Sequence, residues 1–117
     1  MSPVRRGEVY FVDLDPVVGS EQGGRRPCVI IQNDVSNQNS PVLIVSMITA
    51  RPPNRDRPTD VHVGSEESGL SASSRVLLNQ IRMIDRSRLG RYVGRLTDDE
   101  LLAVDEALRI SLGLVPL

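Results

Sequence analysis

The stretch from Arg6 to Asp34, RGEVYFVDLDPVVGSEQGGRRPCVIIQND, constrains the fold more than any other part of the chain. It reads as two apolar strands joined by a long polar loop. Glu8 to Leu14 is rich in β-branched and aromatic residues, the composition of a strand. Cys28 to Gln32 is a short, nearly continuous apolar run, the pattern of a strand covered on both faces. The loop between them, Asp15 to Arg26, carries Gly19, Gly23 and Gly24, which reach backbone conformations closed to other residues, and it delivers Arg25 and Arg26 just before Pro27. Pro27 fixes its own φ and drives Arg26 toward an extended backbone, so a positive charge is held where the second strand begins. On the residues alone, such an arginine is either half of a structural ion pair or part of a site.

The remaining segments supply neighbours for these two strands. Val42 to Ile48 is another nearly continuous apolar run and belongs with Cys28 to Gln32 at the centre of a sheet. Asn33 to Pro41, dense in Asn, Ser and Asp, is a surface connection between them. Ala50 to Pro58 holds three prolines and the arginines Arg51, Arg55 and Arg57 without apolar periodicity, which predicts an exposed loop. Thr59 to Val63 alternates as a half-exposed strand does, Gly64 to Ser73 is a further loop, and Ser74 to Ile84 returns to strand character. Asp85 is placed to cap a short helical turn at Arg86 to Leu89. Thr97-Asp98-Asp99-Glu100 is a capping box that opens an amphipathic helix. Leu101, Val104, Leu108 and Leu112 form its apolar stripe, and Gly113 ends it. Six or so short strands and one long terminal helix predict a mainly β fold, a small antiparallel and partly closed barrel.

Composition limits the function classes. A chain of 117 residues suits a single domain spanning 1–117. Net charge is −1, which argues against a general nucleic-acid binder, yet the average hides an asymmetry. Up to Thr97 there are thirteen arginines against ten acids, whereas beyond it Asp98, Asp99, Glu100, Asp105 and Glu106 face only Arg109. The barrel part is mildly basic and the tail acidic. All basic side chains are arginine, with no lysine. Cys28, the single cysteine, excludes an internal disulfide and reads as a small buried hydrophobe or a reactive thiol. No apolar run approaches membrane-spanning length and no apolar leader follows Met1, so the expectation is a soluble, cytoplasmic protein without a membrane role.

The common catalytic sets are missing. His62 is the one histidine and cannot supply a two-histidine ribonuclease arrangement or a His/Cys metal site. Glu66-Glu67 and Asp98 to Glu100 are contiguous, as in a loop and a helix cap, and no metal or other cofactor is expected.

Taken in order, R-G-E-V-Y at Arg6 to Tyr10, D-L-x-P at Asp13 to Pro16, G-x-E at Gly19 to Glu21, G-G-x-R-P at Gly23 to Pro27 and Q-N-D at Gln32 to Asp34 resemble the MazF/PemK family of toxin endoribonucleases. The likeness continues through I-T-A at Ile48 to Ala50, L-x-Q-I-R at Leu78 to Arg82, and Ile84-Asp85, and covers nearly the whole chain. The resemblance implies the SH3-like barrel of MazF, Kid and CcdB toxins. It also implies a homodimer, a MazE-like antitoxin as inhibitor, and cleavage of single-stranded RNA or mRNA at a short sequence to leave 2′,3′-cyclic phosphate and 5′-hydroxyl ends. In that family the arginine of G-G-x-R-P and the threonine closing the central strand are the catalytic pair, matched here by Arg26 and Thr49. Arginine stays protonated at ordinary pH, so Arg26 suits charge stabilisation, and Glu21 or a water is left to help with the proton. Ser20, Glu21, Gln22, Arg25, Gln80 and Arg82 are the candidates for RNA binding, and the Ala50 to Pro58 segment is either a solvated linker or an RNA-steering loop. Asn79 stands where the family commonly has an acid. The alternative is a non-enzymatic poison of DNA gyrase with the same fold, of the CcdB kind. Such proteins lack G-G-x-R-P and end in a Trp-containing tail, whereas this chain has no Trp and ends LGLVPL.

Overall fold

The computed structural model describes residues 3–16, 18, 19, 23–52 and 55–116. Its strands are β1 (Glu8–Asp13), β2 (Arg25–Ile30), β3 (Val42–Thr49), β4 (Asp60–Val63), β5 (Ser74–Asp85) and β6 (Leu89–Arg95). They form one antiparallel sheet in the order β4-β5-β3-β2-β1-β6, accompanied by the helices α1 (Asp34–Asn39) and α2 (Asp98–Ser111). The expected mainly β fold with a terminal helix is therefore present. β2 and β3 occupy the middle because both of their faces bury apolar side chains. Cys28, Ile30, Leu43, Val45 and Met47 belong to one core cluster, and Val29 and Ile48 to the other.

Helix α2 closes the second cluster. The Thr97 hydroxyl accepts from the Glu100 amide at 3.1 Å and the Glu100 carboxylate accepts from the Thr97 amide at 2.9 Å, so two backbone donors at the helix start are satisfied reciprocally. Val104 and Ala107 are buried, with Leu101 and Leu108 packed beside them. Leu112, expected at the end of the stripe, is 60% exposed because the helix ends one residue earlier. Glu100 also accepts from the Gly64 amide at 3.1 Å and the Ser65 hydroxyl at 2.7 Å, tying the loop after β4 to the helix start.

The barrel is a curled, open sheet. No ladder joins β4 to β6 among the described residues. The seam is made by close backbone contact instead: a Cβ on Gly69 would lie 2.0 Å from the Val93 carbonyl oxygen, and one on Gly94 would lie 2.3 Å from that of Ser68. Only glycine allows the 3-10 turn Glu66–Ser68 and β6 to press together this way.

Three local features differ from the sequence reading. Asn33 to Pro41 contains the short helix α1, because the Asn33 side chain caps it by accepting from the Ser36 amide at 2.8 Å. β2 begins at Arg25, ahead of Pro27, so the arginines lie within the strand. β6 carries no continuous strand signal in the sequence, since Gly90 and Gly94 interrupt its apolar pattern.

Candidate active site

The β2–β3 register pairs Cys28 with Met47, Val29 with Ser46 and Ile30 with Val45. Carried two residues further, the same register sets Arg26 opposite Thr49. The ladder stops short of them, and Pro27 has no N–H with which to extend one. The two strand ends border a cleft of about 340 Å³, whose walls include Arg26, Pro27, Ile48, Thr49, Ser74 and Arg91. No carboxylate side chain lines it among the described residues.

Arg26 is solvent-exposed, and its Nε donates to the Gly23 carbonyl at 3.1 Å. Among the described residues no carboxylate pairs with it, which leaves the two terminal nitrogens for a ligand. Thr49 is half-buried, and its hydroxyl oxygen accepts from the Arg51 amide at 3.2 Å, so the hydroxyl proton remains to be donated. On its other side Thr49 stands opposite Arg75 of β5. Arg75 is ion-paired with Asp60 and donates to the Arg51 carbonyl at 2.8 Å, fixing the chain where it leaves β3.

The loop that delivers Arg26 is closed at its base. The Leu14 amide donates to the Gly24 carbonyl at 2.9 Å, and the Gly24 amide donates to the Asp15 carboxylate at 2.9 Å. Gly24 has φ 79°, which disfavours any residue with a Cβ. Arg82 donates to the Leu14 carbonyl at 2.5 Å, and Arg88 donates to the carbonyls of Asp13, at 3.1 Å, and Asp15. Of the RNA-binding candidates, Ser20, Glu21 and Gln22 lie outside the described residues. Arg25 is exposed and, by strand alternation, takes the face opposite to Arg26.

Gln80 and Arg82 line a separate, small cavity of about 60 Å³ with Leu14, Cys28, Val45 and Met47. Arg82 stands opposite Val45 in the β3–β5 ladder, whereas Gln80 lies in the part of β5 left out of it where the register jumps from Ser46 opposite Ile81 to Met47 opposite Leu77. Burial pushes the Cys28 thiol up to about 12, a value that makes it an apolar wall of this cavity. The structure thus brings Arg26 and Thr49 together and places Gln80 and Arg82 next door. It also adds Arg91, which the sequence reading did not single out; its only signal was a charged residue between the two glycines of an otherwise strand-like LGRYVGR.

Residues 5–112 match the family described as PemK-like, MazF-like toxin of type II toxin-antitoxin system. Over 112 residues, 96% of this chain and 97% of the relative, the sequence is 50% identical to endoribonuclease EndoA of Bacillus subtilis (strain 168). The fold is similar to the crystal structure of MazF (form I) from Deinococcus radiodurans, with TM-score 0.82 and 25% identity over 97% of this chain and 99% of that one. It is equally similar to an endoribonuclease in complex with its cognate antitoxin from a mycobacterial species, with TM-score 0.81 and 26% identity over 97% and 99% of the two chains. The curled sheet with its terminal helix is thus the fold of the MazF toxins. The chain belongs to the PemK/MazF family of toxins of type II toxin–antitoxin systems.

Proposed function

We propose that this protein is the endoribonuclease toxin of a type II toxin–antitoxin pair and cuts single-stranded RNA, including mRNA, at a short specific sequence. In the proposed step the 2′-hydroxyl oxygen bonds to the adjacent phosphorus, the P–O5′ bond breaks, the 2′ proton passes to water or Glu21, and O5′ gains a proton. The ends are a 2′,3′-cyclic phosphate and a 5′-hydroxyl. The observation that carries this reading is the cleft shared by Arg26 and Thr49, without a carboxylate among its described walls. Negative charge grows on the non-bridging phosphate oxygens during transfer. A guanidinium tethered through Nε and a hydroxyl donor stabilise that charge as it develops.

Ser20, Glu21, Gln22, Arg25, Gln80 and Arg82 form the proposed RNA-binding set, with Arg82 also holding the base of the loop. The proposed partners are a second copy of the chain and a MazE-like antitoxin, and the proposed compartment is the cytoplasm. A mycobacterial relative of the same fold is solved with its cognate antitoxin. Ile44 and Met83, opposite one another in the β3–β5 register and 37% and 66% exposed, give a second copy an apolar surface to cover. No helix among the described residues is long and apolar enough to cross a membrane.

The test is incubation of the purified protein with a long defined RNA and the corresponding DNA in the presence of EDTA, followed by end mapping. RNA cut at one recurring short sequence with cyclic phosphate ends, beside intact DNA, is expected. Intact RNA overturns the reading.

A further inference from the structure

Arg91 stands over Phe11 in the wall of the same cleft, its guanidinium carbon 4.9 Å from the ring centroid. A defect in the β1–β6 ladder places it there. The register passes from Tyr10 opposite Tyr92 to Val12 opposite Leu89, so Phe11 alone faces both Gly90 and Arg91. Such a bulge re-aims a side chain out of strand alternation. Gly90 makes it possible, since a Cβ there would lie 2.9 Å from the Phe11 carbonyl oxygen.

We propose that Arg91 is a further RNA-contacting residue, outside the set named above, holding a phosphate that neighbours the scissile one while Arg26 holds the scissile phosphate itself. This rests on the Arg26–Thr49 reading of the cleft. Arg91 is exposed and has no ion-pair partner among the described residues. Contact with the ring restrains the guanidinium, whose nitrogens have no carboxylate partner among the described residues and can donate to a phosphate. Because Arg91 covers Phe11, that ring is not a platform for an RNA base, which favours a backbone contact over base stacking. The contact is therefore insensitive to sequence. It adds affinity without changing which motif is cut.

The experiment measures cleavage of a short RNA containing one cut site by wild type, Arg91→Ala, Arg91→Lys and Arg26→Ala at salt from about 50 to 200 mM. Arg109→Ala, which removes an equal charge from the far end of α2, is the control. Arg91→Ala is expected to raise KM about ten-fold, the loss of one charge-assisted contact, and to lower the salt slope of binding by about 0.7. Its loss concentrates in KM, whereas Arg26→Ala loses the single-turnover rate. Arg91→Lys keeps the slope and recovers part of the KM, and Arg109→Ala changes neither. If Arg91→Ala fails to fold, Arg91→Gln removes the same charge and carries the test through the same rise in KM and loss of slope. Wild-type KM and slope in Arg91→Ala, beside an inactive Arg26→Ala, overturn the proposal about Arg91 alone. An active Arg26→Ala overturns the reading on which it rests.

Discussion

Asp60 and Arg75 form an ion pair between β4 and β5 in which only 6% and 12% of the side chains are exposed, and the same arginine faces Thr49 across the ladder to β3. The arginine of the pair therefore stands beside Thr49, which lines one wall of the cleft. Removing one partner leaves the other charge buried and unpaired, which typically costs about 3–5 kcal/mol. Asp60→Ala is expected to lose that much in urea unfolding. Glu106→Ala, which breaks an exposed pair with Arg109, is expected to lose less than about 1 kcal/mol. Equal losses in the two variants would deny the buried pair its structural role.

The seam of the curled sheet makes a second prediction. A methyl group at Gly69 or Gly94 meets backbone oxygen at 2.0 or 2.3 Å, and neither side can yield as a flexible side chain would. Either residue changed to Ala is expected to prevent soluble folding or to lower the melting temperature severely. Gly113→Ala meets nothing within 4 Å and carries only the strain of φ 72°, roughly 1–2 kcal/mol. Thermal melts of the three variants rank them.

Acid should loosen the contact between α2 and the loop after β4. Burial pushes the Glu100 carboxyl up, but donation from the Ser65 hydroxyl and from the Thr97, Gly64 and Ser65 amides outweighs it, and the folded value lies below the ordinary one. A lowered folded pKa contributes stability that is fully present above the unfolded pKa and is lost as pH falls through the folded one. Stability measured down an acid series is expected to fall with this carboxylate's protonation. Glu100→Gln is expected to be less stable at neutral pH and to show a shallower acid loss. An identical acid profile in the variant would refute the assignment.

Cys28 is expected to be inert in the folded protein. With its thiol pushed up to about 12 by burial, almost none is thiolate at mild alkaline pH. Disulfide reagents are expected to react only after unfolding, and prompt labelling of the native protein would contradict this.

Much of the motif sequence proves to be architecture, which explains what could and could not be read from it. Arg6 donates to the Ile31 carbonyl at 2.8 Å and to Asp105 at 2.7 Å, joining the start of β1 to the end of β2 and to α2. Gln32 donates to Asn37 at 3.1 Å and to the Val42 carbonyl at 3.0 Å, so the Q-N-D segment secures α1 and the start of β3. The central strands and the capped helix were legible because burial on both faces and capping chemistry leave local patterns. β6 and the seam were not, since their determinants are glycines whose importance lies in backbone from distant parts of the chain. Arg26 and Thr49 could be named from the motif. That they share a cleft follows from the β2–β3 register, and that Arg91 joins them follows from a bulge, neither of which a linear pattern displays.

The central claim is that Arg26 acts on the scissile phosphate. The most direct measurement is the single-turnover rate of Arg26→Ala on a saturating RNA containing one cut site. Loss of a charged donor aimed at developing oxyanion charge typically lowers the rate roughly a hundred- to thousandfold, and a loss of that size with the fold intact is the expected result. Cleavage at the wild-type rate would contradict the account.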